Sequence, residues 1–153
     1  MKKIFFSFLV IFLTVSTSCE DKFVDKHAIP YVAVYAEIQL WMAEYQDLKF
    51  SYQPVYLGSY NGKGLGYNHN GLIVMKIADN EYKCFDATCT NDLSGSVSIT
   101  KGSTMAKCPV CGTEFLLTYG YPIHSSDSTN TTKIYPLREY PVVASGNSLI
   151  VRN

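Results

Sequence analysis

Histidine is scarce in this 153-residue chain: His27, His69 and His124 are the three there are, and no motif ties any of them to a serine or cysteine. No nucleophile–base–acid arrangement can be read from them, so catalysis of that kind is not expected. A surplus of basic side chains is missing as well. Lysine and arginine together number 13, as do aspartate and glutamate, with no basic tail or stripe. Nucleic-acid binding therefore has no electrostatic footprint. No segment sustains a 3.6-residue apolar period, which excludes a helical framework. Tyrosine, by contrast, is abundant at 12 residues. That suits sheets and also an outward-facing sugar- or protein-binding surface.

The N-terminus reads MKKIFFSFLVIFLTVSTSCE. Its apolar run from Ile4 to Val15 is too short for a permanent membrane span and reads as a signal peptide over residues 1–18. Small residues ending at Cys19 resemble a bacterial lipobox, which implies a lipid on Cys19 and a membrane as partner. The following Glu20 and Asp21 resemble the acidic patch of surface-exposed lipoproteins of Bacteroidota type. Loss of Lys2 and Lys3 with the signal leaves the acidic residues in slight excess. The expected organisation is a tether over 19–30 and one β domain over 31–153, anchored in a bacterial cell envelope. About 135 residues suit a single domain.

Residues 31–40 alternate, with Val32, Val34, Ala36, Ile38 and Leu40 on one face, and predict a half-buried strand. Residues 41–50 predict one short helical turn at most. A further strand is expected in QPVYLGSY, then a Gly/Asn loop over 61–71. GLIVMKIA and EYKCFDA predict two strands joined at Asp79-Asn80, a hairpin signal. SGSVSIT, EFLLTY, PLREYPVV and SLIV continue the series, the last two around Ser145-Gly146-Asn147. The fold class expected is all-β, a small antiparallel sandwich or barrel.

Four cysteines remain beside Cys19: Cys84, Cys89, Cys108 and Cys111, spaced C-x4-C, eighteen residues, C-x2-C. Two short-range pairs separated by a long gap suit tetrahedral zinc, because each pair sits on one turn and the gap lets the turns face each other. Pro109 and Gly112 help shape the second turn. Cys84 falls inside a strand, on the face of Tyr82 and Asp86, and reads equally as a ligand and as a buried thiol. Asp86 and Asp92 read as turn caps. The cysteines thus stand open to a structural zinc, to disulfides, or to an iron–sulfur cluster.

The segments GLIVMKIADNEYKCFDATCTND, KCPVCGTEFLLTYGYP and PLREYPVVASGNSLIV resemble a Rieske-type [2Fe–2S] domain over residues 71–153, and the whole chain resembles a Bacteroidota lipoprotein branch of that superfamily. A Rieske site uses C-x-H, about sixteen residues, then C-x2-H, its cysteines on one iron and its histidines on the other. Here the matching positions read Cys89-Thr90-Asn91 and, sixteen residues on, Cys108-Pro109-Val110-Cys111. Asn91 and Cys111 stand where the resemblance expects histidine, and an amide is a poor iron ligand. With Cys84 as a fourth thiolate, an all-thiolate [2Fe–2S] site is an alternative. Lys2-Lys3 in place of a twin arginine implies export of an unfolded chain, which suits zinc bound afterwards. The resemblance also implies that the two ligand loops meet, which brings Cys89 within bridging reach of Cys108 or Cys111. The function expected is a lipid-anchored accessory or binding module, not an enzyme, with zinc at Cys84, Cys89, Cys108 and Cys111. A disulfide-stapled domain without metal and an electron carrier are the alternatives, and a protein or glycan at the cell surface is the expected partner.

Overall fold

A computed structural model describes residues 27–124 and 134–153. The expected signal peptide, Cys19, the tether up to residue 26 and the polar stretch 125–133 lie outside the described residues. The described chain is almost entirely β. In chain order its strands are β1 (Tyr35–Gln39), β2 (Pro54–Leu57), β3 (Ser59–Tyr60), β4 (Lys63–Gly64), β5 (Leu72–Ala78), β6 (Glu81–Asp86) and β7 (Ser98–Ile99). There follow β8 (Met105–Lys107), β9 (Glu114–Leu116), β10 (Tyr121–His124), β11 (Glu139–Tyr140), β12 (Val142–Ser145) and β13 (Ser148–Arg152). The expected helical turn is a 3-10 segment, Ala43–Lys49, with Leu48 as its buried residue. The loop expected over 61–71 contains the turn of the β3–β4 hairpin and a short 3-10 turn, Tyr67–His69.

Three antiparallel sheets carry the architecture, in orders β1-β13-β12, β11-β6-β5-β2 and β10-β9-β8-β7. The second lies between the other two. On β5, Leu72 and Val74 belong to the core shared with β1 and β13, while Ile73 and Met75 belong to the core shared with β8 and β9. Both faces of this central sheet are therefore buried, which is why β5 reads LIVM without a polar alternate. The β5–β6 hairpin turns at Asp79-Asn80, where Asn80 takes φ 59°. Asparagine tolerates that left-handed conformation, as the turn requires. Gly146-Asn147 closes β12 onto β13 in the same manner, with Ser145 opposite Ser148.

Packing begins earlier than the composition of residues 19–30 suggests. Ile29 is completely buried, and its carbonyl accepts from the Nε and Nη2 of Arg138, itself nearly buried. The Arg138 guanidinium lies 4.2 Å from the Tyr31 ring centroid. The His27 ring lies 5.5 Å from that of Tyr135, and its Nδ1 accepts from the Ile29 N–H. The tether expected to run to Pro30 is thus part of the domain from His27 onward. A buried guanidinium needs acceptors, and this backbone supplies one.

Candidate metal centre

Two loops at one end of the molecule carry the cysteines. The first leaves β6 through Ala87 and Thr88. It is closed by Val97 N–H donating to Ala87 O at 2.7 Å and Cys89 N–H donating to Gly95 O at 2.9 Å. Asp92 caps its turn, its Oδ1 accepting from the Ser94 N–H and Oγ. The second loop is the tip of the β8–β9 hairpin. Cys108 N–H donates to Thr113 O at 2.8 Å and Gly112 N–H to Cys108 O at 2.9 Å, so the chain turns back within one knuckle. Gly112 sits at φ 72°, where a side chain would be strained. Lys107 and Glu114, opposite each other below the knuckle, pair at 3.0 Å.

The sulfurs of Cys89, Cys108 and Cys111 lie within 4.8 Å of one another, and those of Cys89 and Cys111 are 3.6 Å apart. No two of them are joined in a disulfide. Cys89 and Cys108 are buried and Cys111 is half-buried. Gly95 is tight against the group, since a Cβ there would lie 2.7 Å from Cys108 Sγ. The Asn91 amide nitrogen donates to Thr113 Oγ1 at 3.0 Å. The Thr113 hydroxyl lies 3.1 Å from Cys111 Sγ, within hydrogen-bonding distance. Neither Thr113 nor Gly95 stands out in the sequence, because neither residue type is a ligand and both act through loop-to-loop contact.

Cys84 does not join the group. It is completely buried in the other core, among residues of β1, β5 and β13, whereas Cys89 and Cys108 belong to the core of β8 and β9. Successive residues of a strand point to opposite faces. Cys84 shares its face with Tyr82 and Asp86, and its neighbour Phe85 points toward the thiol group's core. Of the four cysteines expected from the sequence to act together, the structure brings Cys89, Cys108 and Cys111 together and leaves Cys84 apart. His27 and His69 are likewise absent from it; among the described residues no histidine or carboxylate completes the group.

Burial pushes the Cys111 thiol up, but hydrogen bonds from the Thr113 hydroxyl and backbone and from the Cys89 and Cys108 thiols outweigh it and bring it down to about 7. Burial dominates at Cys89 and pushes it up to about 12, against the backbone N–H groups of Asp92 and Asn91. Burial also raises Cys84. In reduced, metal-free protein at pH 8, Cys111 is therefore expected to be the first thiol alkylated, being both the more exposed and the more ionised. Peptide mapping after short exposure to iodoacetamide checks this, and labelling of Cys84 or Cys89 first would contradict it.

In fold, the chain is similar to the quaternary ammonium Rieske monooxygenase CntA in complex with an inhibitor (TM-score 0.53, 11% identity, 82% of this chain and 32% of that one). The apo form of that enzyme matches at TM-score 0.52 and 9% identity, over 82% of this chain and 33% of that one. The cyanobacterial plasma membrane Rieske protein PetC3 from Synechocystis matches at TM-score 0.45 and 23% identity, over 65% and 99% of the two chains. No protein-family model and no curated protein matches the sequence. The fold is of the Rieske type, and the chain spans about a third of the monooxygenase. It is a Rieske-fold β domain with a cluster of three cysteines at the meeting point of two loops.

A Rieske [2Fe–2S] centre takes two thiolates and two imidazoles. Among the described residues the converging donors are three thiols, and the Asn91 amide nitrogen donates to Thr113. These residues do not fit that centre, although three converging thiols are a competent set for a single metal ion.

Proposed function

We propose that this chain is a lipid-anchored accessory module of the bacterial cell envelope, in which Cys89, Cys108 and Cys111 hold one zinc ion that clamps two loops of a Rieske fold. The observation that carries the reading is the convergence of three sulfurs within 4.8 Å, two of them 3.6 Å apart. Sulfurs bound tetrahedrally at ~2.3 Å stand about 3.8 Å from each other, so little movement is needed to close them on an ion. Zinc suits the role because it needs only thiolates and folding, and so binds after export. Three thiolates leave one of its four positions to water or a further donor. The thiolate character of Cys111 and the Asn91–Thr113 link behind it support metal binding in the manner of outer-shell partners. Anchoring rests on Cys19 and the apolar run before it.

The closeness of Cys89 and Cys111 also favours a second reading, a single disulfide between them in an oxidising compartment. Elemental analysis and thiol counting on mature protein, purified without reductant or chelator, separate the two. One zinc per chain, with the three thiols protected until a chelator is added, is the expected result. No metal and a Cys89–Cys111 disulfide would favour the second reading, and stoichiometric iron with acid-labile sulfide would overturn both.

A further inference from the structure

A groove of about 590 Å³ opens on the side of the molecule away from the thiol core. Its floor is Val34 and Leu65, both nearly buried and both members of the core of β1 and β13. Tyr35 and Tyr60 form one wall, their rings edge to face with centroids 5.9 Å apart. Tyr35 leaves 54% of its surface to solvent. Lys63, from the β3–β4 hairpin, and Arg152, from the end of β13, supply two cations, and no aspartate or glutamate lines the groove. Among the described residues neither cation forms an ion pair, although four other lysines do. Lys49 is also without an ion pair, so the groove is distinguished by bringing two such cations to one lining that holds no acidic side chain.

The chemistry of the lining selects a ligand. The volume suits a small molecule or one to two sugar units. Exposed tyrosine faces pack against the C–H faces of a sugar ring, as amphipathic rings do at interfaces. An arginine fork and a lysine ammonium together recognise a carboxylate. Two cations on a chain with no net charge are too few for nucleic acid. We infer that the Tyr35–Tyr60–Lys63–Arg152 groove binds a uronic-acid saccharide, its carboxylate between Lys63 and Arg152 and its ring face on the tyrosines. This site shares no residue with the thiol group, so it stands or falls separately from the metal reading.

Chemical-shift titration of the mature protein with tetragalacturonate, with a neutral galactose tetramer and with an acidic tetrapeptide tests it. Tetragalacturonate is expected to shift the groove's resonances and the neutral tetramer to bind at least about tenfold more weakly, the scale of one charge-assisted hydrogen bond. Lys63→Ala with Arg152→Ala is expected to weaken binding by at least about tenfold, and Tyr60→Ala comparably. All these side chains reach the surface, so unchanged melting and metal content would show that the variants fold. Absence of tetragalacturonate binding, equal binding of the neutral tetramer or the peptide, or binding indifferent to these substitutions would each overturn the inference.

Discussion

Exchange of Asp86 for alanine is expected to destabilise the domain by about 3–5 kcal/mol and lower its melting temperature by roughly 10–20 °C. Asp86 is completely buried at the end of β6. Its Oδ2 accepts from the Tyr67 N–H at 2.7 Å and the Tyr140 hydroxyl at 3.1 Å, and its Oδ1 from the Thr88 N–H at 2.9 Å. Removing the carboxylate leaves three donors without an acceptor, each costing about 1–3 kcal/mol where water cannot reach. Set against the roughly 5–15 kcal/mol typical of a whole domain, that is a large fraction. Tyr140→Phe removes one donor and leaves two, so its cost is expected to be nearer about 1 kcal/mol. Tyr140 keeps its proton to high pH, raised first by burial and then by the Asp86 charge, so the hydroxyl is a donor throughout the neutral range. Thermal melts of the two variants check the ordering. A loss of less than about 2 °C for Asp86→Ala would mean that the three donors find other partners.

Asp86 looks like a turn cap in the sequence because its most distant partners leave no local trace. Two of its donors come from residues 19 and 54 positions away, and nothing nearby marks it apart from Asp92, whose partner Ser94 is two residues on. Strands with clear alternation or flanking turn chemistry are legible: β1, the β5–β6 pair and the β12–β13 pair each lie where the pattern puts them. β8 and β10 are not, being three and four residues long and without an alternating run. Ile29 resembles tether because its burial depends on Arg138, 109 residues later. Cys84 is the most instructive case. Its parity with Tyr82 and Asp86 is visible in the sequence, but both faces of the central sheet are covered, so alternation cannot say which face looks toward the ligand loops. The convergence of Cys89, Cys108 and Cys111 is legible through spacing and resemblance, and the Asn91–Thr113 link that joins their loops is not.

That parity supplies the second large prediction, a contrast between two cysteines of one motif. Cys108→Ser is expected to abolish stoichiometric metal binding, with affinity falling by at least about a hundredfold, because a hydroxyl is a far poorer ligand than thiolate for a thiophilic ion. Cys84→Ser is expected to leave the metal content unchanged. Its cost shows instead as stability, about 1–3 kcal/mol, because it puts a hydroxyl into the apolar core of β1, β5 and β13. Elemental analysis of both variants, with melting curves before and after chelation, separates the two effects. The chelator should lower the melting temperature of the Cys84→Ser protein and leave that of Cys108→Ser where it was. Loss of metal in Cys84→Ser with retention in Cys108→Ser would require β6 to turn its thiol to the opposite face. A one-residue slip in register against β5 does that, and it would also expose Phe85 to the wrong core. The pairing of Val74 with Cys84 and Ile73 with Phe85 is what holds Cys84 away from the other three sulfurs.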